Sequence, residues 1–116
     1  MLTVYTLKNC DTCKKAIKWM EAEGVSFNNH DVRADGLTEA IISGIVTKLG
    51  WETVLNRRST TWRNLDTVQK ADVDNAKAVS LIEQHPTLLK RPVFVDEKEM
   101  VAGFSDDARQ LALKHG

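Results

Sequence analysis

The stretch Leu2-Thr3-Val4-Tyr5-Thr6-Leu7-Lys8-Asn9-Cys10-Asp11-Thr12-Cys13 decides how the rest of the chain is read. Leu2 to Thr6 is uncharged and β-prone, which predicts a strand. Lys8-Asn9-Cys10-Asp11 breaks that pattern. From Thr12 onward Cys13, Ala16, Ile17 and Met20 recur at i, i+3, i+4 and i+7, one face of a helix, while Lys14, Lys15 and Lys18 fall elsewhere. Gly24 is the expected stop. Val25 to Val32, with Phe27 inside it, reads as a second strand. Strand, helix and strand within about 30 residues have the size of a βαβ unit.

Further along, Leu37-Thr38-Glu39 opens a helix whose apolar face is Ile41, Ile42, Ile45, Val46 and Leu49, ending at Gly50. Trp51 to Leu65 is less regular and carries Arg57, Arg58 and Arg63 around Ser59-Thr60-Thr61-Trp62. Residues 72–84 read as a helix with Ala76, Val79, Leu81 and Ile82 available for packing, closed by His85-Pro86. Val93-Phe94-Val95, the charged turn Asp96-Glu97-Lys98-Glu99 and Met100-Val101-Ala102 predict an antiparallel hairpin. Ser105 suits a helix N-cap, with Asp106 and Asp107 in the first turn and Lys114 and His115 at the far end. Phe104, Ala108, Leu111 and Ala112 would be its buried stripe.

The order β-α-β, several helices, then β-β-α predicts an α/β, thioredoxin-like fold. It is a small mixed sheet flanked by helices, with a helical insertion in the middle of the chain. At 116 residues we expect one domain over 1–116, its core from about 1–35 and 86–116 and the insertion from about 37–85. Sixteen basic residues balance sixteen acidic ones, so no broad field attracts nucleic acid or an anionic membrane, and neither is expected as a direct partner. No apolar run approaches the ~20 residues of a membrane span. The first residues lack the pattern of a secretory signal, and the chain starts at Met1, so the expected location is the cytoplasm, where thiols stay reduced.

Cys10 and Cys13 are the two cysteines of the chain. With Cys10 at a helix start and Cys13 one turn on, their sulfurs can approach bonding distance. Free amides and the dipole at a helix N-terminus favour a thiolate, the attacking species in disulfide exchange. Cys10 is expected to be exposed and nucleophilic. Cys13, on the apolar face, is expected to be more buried and to act as the resolving thiol. Asp11 opposes a thiolate; Lys8, Lys14 and Lys15 are expected to offset it. The competing readings are two inert cysteines or a structural zinc site. Zinc needs four ligands, and His30, His85 and His115 are scattered, so no metal is expected. A CxxC directly after the first strand of a βαβ unit favours redox chemistry.

From the residues alone, Pro92 reads as a trans proline opening an edge strand. Likewise Arg57, Arg58, Arg63 and Arg91 read as solvated charge, although guanidinium forks also suit carboxylates and other anions. There is no dinucleotide or P-loop glycine pattern.

Four segments occur in order: Asn9-Cys10-Asp11-Thr12-Cys13-Lys14-Lys15-Ala16, Val54 to Leu65, Lys90-Arg91-Pro92-Val93, and Val101-Ala102-Gly103-Phe104-Ser105. Together they resemble the arsenate reductase-related (ArsC-like) family, nearest its YffB-type branch, over essentially the whole chain. The resemblance implies a thioredoxin-like core with an inserted helical region, a cis Pro92, and Cys10 at the nucleophile position. Arg91 matches the arginine before the family's proline, and Arg58 or Arg57 matches an anion-binding arginine. On that basis Cys10, Cys13 and Arg91 are expected to carry the chemistry. Lys8, Arg57, Arg58, Arg91, Pro92 and Gly103 are expected to line the substrate site, with the Pro92 backbone presenting free groups beside the cysteines.

The function implied is a glutathione-dependent thiol–disulfide oxidoreductase with glutathione, or another thiol, as co-substrate and no tightly bound cofactor. Its substrate would be an oxidised protein or small molecule. Gly103 stands where glutathione-coupled arsenate reductases carry a further arginine, so arsenate reduction proper is the weaker alternative. The CxxC also resembles the Spx-type branch, redox-sensing regulators that bind RNA polymerase, and that is the alternative of a different class.

Overall fold

A computed structural model describes all 116 residues. Strand β1 (Thr3–Thr6) leads through helix α1 (Asp11–Ala22) into β2 (Asn28–Asp31). The predicted second strand is shortened to its last residues. Asn28 N–H reaches Leu2 O, where β1 runs out of partners, and Ser26 N–H bonds instead to His115 O. Val25 still points into the core.

Residues Leu37–Lys90 form a compact unit of their own. Helix α2 (Glu39–Leu49) is capped by the Thr38 hydroxyl, which accepts from Ile41 N–H, and ends at Gly50, whose φ of 86° suits glycine. Three four-residue helices follow: α3 (Trp51–Val54), α4 (Thr60–Arg63) and α5 (Thr67–Lys70). Such short helices depend on their caps. Ser59 caps α4, and Asp66 with Gln69 makes a reciprocal capping box on α5. Helix α6 (Asn75–Gln84), capped by Asp74, packs against α2. It buries Ala78, Leu81 and Ile82, while Ala76, expected to pack, is exposed. A 3-10 turn, Pro86–Leu88, closes the segment. Asn56 N–H bonds to Leu88 O and Lys90 N–H to Val54 O, so residues 86–90 belong with this unit and the return to the core comes at Arg91 rather than at about 86.

The other unit, Met1–Gly36 with Arg91–Gly116, is completed by β3 (Val93–Val95), β4 (Met100–Ala102) and α7 (Asp106–Leu113), the last capped by Ser105 as expected. Its four strands run in the order β2-β1-β3-β4. β1 is parallel to β2 and antiparallel to β3, and β3 is antiparallel to β4. This is the mixed sheet of a thioredoxin-like α/β fold. Leu2, just before β1, and Val4 within it pack with Ala16 and Met20 of α1, Phe94 of β3, and Ala108, Leu111 and Ala112 of α7.

Asp96 locks the β3–β4 turn. Its carboxylate accepts from Glu99 N–H at 2.7 Å and Lys98 N–H at 2.8 Å, and pairs with His115 Nε2 at 3.0 Å, tying the end of α7 to the hairpin. The Glu99 amide, His115 and the Lys98 amide together hold its carboxyl down to about 2. A carboxyl depressed on folding stabilises the native state above its unfolded value, near 3.9, and loses that contribution as pH falls towards about 2. We predict that Asp96→Ala lowers stability by about 1–2 kcal/mol at pH 7. In urea titrations the gap between variant and parent should close between pH 4 and pH 2; a gap constant with pH would refute this account.

Candidate functional site

The site is assembled by strand register. Tyr5 pairs with Val93, so the chain leaving β1 (Thr6-Leu7) runs beside the chain entering β3 (Arg91-Pro92). Val93 pairs with Ala102, which brings Gly103 N–H to Pro92 O at 2.8 Å. Thr6 pairs with Asp31, and Lys8 N–H donates to Asp31 Oδ2 at 3.0 Å. Between Leu7 and Cys10 the backbone turns, with Cys10 N–H on Leu7 O at 3.1 Å. Cys10 is the N-cap of α1, extended at φ −94° and ψ 119°, and its carbonyl takes the first helical bond from Lys14 N–H.

Both cysteines are reduced, and they are unequal. Cys10 is half-buried and Cys13 is fully buried. For Cys10 the largest influence is burial, which disfavours a thiolate. The Cys13 amide, the Cys13 thiol and the Arg91 guanidinium outweigh it, leaving the Cys10 thiol below its ordinary value. No side-chain cap bond is formed at Cys10, so the amide acts on the sulfur as a nearby dipole. For Cys13, burial dominates and the neighbouring Cys10 adds to it, pushing the thiol up to about 12 despite the Leu7 amide and Arg91. The charge that favours the Cys10 thiolate therefore comes from Arg91 and not from Lys8, Lys14 and Lys15, which are exposed.

Of the residues expected at the site, Cys10, Cys13, Arg91, Pro92, Gly103 and Lys8 belong to the sheet-containing unit, and Arg57 and Arg58 to Leu37–Lys90. The Arg91–Pro92 bond is cis, as the resemblance implies, and β3 is an inner strand rather than the edge strand that the residues alone suggest. The Pro92 carbonyl is not wholly free as expected, since one lone pair accepts from Gly103. Gly103 has a φ of 91°, a conformation that an arginine rarely adopts. Arg57 lies 5.5 Å over the Trp51 ring, whereas Arg58 shows no ring contact. No group of three His, Cys, Asp or Glu side chains is arranged to hold a metal ion, and no helix is long and apolar enough to cross a membrane.

Asp31 and Arg33, outside the residues expected at the site, stand at this same end of the sheet: Asp31 ends β2 and Arg33 follows it, and the C-terminal end of β2 lies beside that of its parallel neighbour β1. In α/β sheets the loops leaving such ends gather functional groups, a signal already present in the βαβ reading.

The family model for ArsC matches residues 5–111. The chain belongs to the ArsC family. An uncharacterized protein of Haemophilus influenzae is 42% identical over 112 residues, covering 97% of this chain and 98% of its own length. The global transcriptional regulator Spx of Streptococcus pneumoniae is 31% identical over 92% of this chain and 81% of its own. Among solved structures, the YFFB protein is 41% identical with a TM-score of 0.92, covering 97% of this chain and 99% of that one. An arsenate reductase (ArsC) related protein from Brucella melitensis is 34% identical with a TM-score of 0.76, covering 97% and 94%. This ArsC-family chain thus has relatives in both the YffB and Spx branches.

In this ArsC-family chain, alkylation by iodoacetamide should mark Cys10 alone in the native state and both cysteines after unfolding, as read by mass spectrometry. The rate should rise with pH through a midpoint below the ordinary thiol value of about 8.5. Arg91→Ala should move that midpoint upward, slowing the reaction at neutral pH and leaving it unchanged at pH values above both midpoints. An unmoved midpoint would remove Arg91 from the account.

Proposed function

We propose that this chain is a glutathione-dependent thiol–disulfide oxidoreductase with Cys10 as its nucleophile. The observation that carries the reading is the inequality of the two thiols: one accessible with its thiolate favoured by Arg91, the other buried with its proton held tightly. The Cys10 thiolate attacks one sulfur of an oxidised substrate R–S–S–R′. A Cys10–S–R mixed disulfide forms and R′–S⁻ leaves. A glutathione thiolate then attacks the R sulfur or the Cys10 sulfur, releasing mixed glutathione disulfide or reduced R–S⁻ with a glutathionylated Cys10. A second glutathione clears the latter as oxidised glutathione. Each exchange consumes one thiolate and releases another, so the electrons come from glutathione.

In this cycle Cys13 is too buried to be the main resolving thiol; its part is to favour charge on Cys10. The anion-binding role that the resemblance gives Arg58 or Arg57 belongs to the same proposal, and Arg58 is the guanidinium not stacked on a tryptophan.

Cys10→Ser should abolish glutathione-coupled reduction of a mixed disulfide. Cys13→Ala should keep turning over, with a higher Cys10 midpoint. Activity surviving in Cys10→Ser would overturn the mechanism, and loss of turnover in Cys13→Ala would hand the resolving step to Cys13.

A second reading, favoured by the Spx relatives that cover most of this chain, is a redox-responsive regulator that binds RNA polymerase. It requires affinity for polymerase that changes when Cys10 and Cys13 are oxidised. A pull-down under oxidising and reducing conditions separates the two: redox-dependent recovery of polymerase supports the regulator, whereas steady turnover with glutathione supports the enzyme. Arsenate reduction is the weakest reading, because Gly103 offers no guanidinium and loss of one charge-assisted contact costs about 1.5–3 kcal/mol.

A further inference from the structure

A hollow of about 350 Å³ opens beside the β1–α1 turn, lined by Leu7, Lys8, Asn9, Asp31, Arg33 and Ala34. Its walls are the two segments that leave the C-terminal ends of the parallel strands β1 and β2. Asn9, which lines the hollow, immediately precedes the nucleophile Cys10 in the chain.

The lining carries two cations and one carboxylate, and the carboxylate is already committed. Asp31 Oδ2 accepts from Lys8 N–H at 3.0 Å, and Oδ1 accepts from Arg33 N–H at 2.8 Å and Ala34 N–H at 2.9 Å. With both oxygens on backbone amides, Asp31 acts as the scaffold that shapes the hollow. The ammonium of Lys8 and the guanidinium of Arg33 close no ion pair. Those formed are Met1 with Glu97, Arg109 with Asp106, Lys114 with Glu99, and His115 with Asp96. Both cations are exposed, the lining is net cationic, and Leu7 and Ala34 add apolar surface.

We infer that this hollow is the subsite for a carboxylate on the disulfide that reacts at Cys10. The site would therefore select anionic thiols and disulfides over neutral ones. The inference rests on the proposed thiol exchange at Cys10 and deepens it by naming the substrate class. Arg91 serves the Cys10 sulfur, so the substrate's own charge is met by Lys8 and Arg33, whose forked and point charges together suit a carboxylate.

The test uses two aromatic disulfides with the native chain: 5,5′-dithiobis(2-nitrobenzoate), which carries carboxylates, and 2,2′-dithiodipyridine, which is neutral. In each case the Cys10 thiolate attacks one sulfur, a mixed disulfide forms and one aromatic thiolate leaves and is measured. The ratio of the two rate constants cancels the thiolate fraction of Cys10. Replacing Lys8 and Arg33 together by glutamine should cut that ratio by roughly tenfold. Asp31 binds those residues through their main-chain amides, so its scaffold is retained. Lys18→Gln, which removes one positive charge on α1 away from the hollow, should leave the ratio near the parent value. Reaction at Cys10 with both reagents, but a ratio that does not fall in Lys8→Gln/Arg33→Gln or falls equally in Lys18→Gln, overturns the subsite alone. No reaction at Cys10 with either reagent overturns the proposed function beneath it.

Discussion

The register of β1 is the constraint on which the candidate site depends. This four-residue strand pairs in parallel with β2 and antiparallel with β3, and both ladders end at the same edge. Past that edge, three segments far apart in sequence run side by side: Leu7 to Cys10, Val32 to Ala34, and Arg91-Pro92. A slip of one residue would turn Leu2 and Val4 out of the core and carry Arg91 away from the Cys10 turn. The apolar alternation that excludes such a slip thus also places the charge beside the thiol. Packing and electrostatics are set by one choice of register.

Within that frame, two effects compete at each sulfur. Removal from water raises the cost of a thiolate at both positions. Arg91 and the helix start offset it at Cys10 and fail to do so at Cys13, which, like Ala16 and Met20, is a buried residue of α1. A difference of three residues along a helix is nearly one turn, enough to move a side chain from the half-open helix start into the core. The CxxC spacing does not by itself make two reactive thiols. It places two chemically identical groups in environments that separate them.

Much of this was legible in the sequence, because much of it is local. Thr38, Ser105 and the apolar face of α1 are patterns of nearby residues, and the helices they predict are present. The inequality of Cys10 and Cys13 followed from helical spacing alone. What spacing could not supply was the identity of the charge at Cys10. Lys8, Lys14 and Lys15 are close in the chain, but their side chains lead to solvent; Arg91 is eighty-one positions away and arrives through the β1–β3 ladder. The shortened β2 and the buried Ala78 in place of Ala76 have the same origin, since each is decided by what a neighbouring element leaves available. The short α5 is a different case: Asp66 and Gln69 spell a capping box, and the signal was local.

The same electrostatics bears on whether the cysteine pair would sense or turn over. A favoured Cys10 thiolate stabilises the reduced form, which makes a Cys10–Cys13 disulfide easier to reduce and hence harder to keep as a stored signal. The burial of Cys13 acts in the opposite direction, because a thiol that holds its proton until about pH 12 gains nothing from the reduced state's charge. Once Cys10 is bound to a substrate sulfur, the Cys10 charge that helps keep Cys13 protonated is gone. Cys13 therefore becomes more acidic only after the first exchange has occurred. Its access to the mixed disulfide then depends on leaving the apolar face of α1, a movement that costs buried surface. A small thiol arriving from solvent would avoid that cost, so within the proposed exchange the burial of Cys13 favours an external thiol as the resolving group.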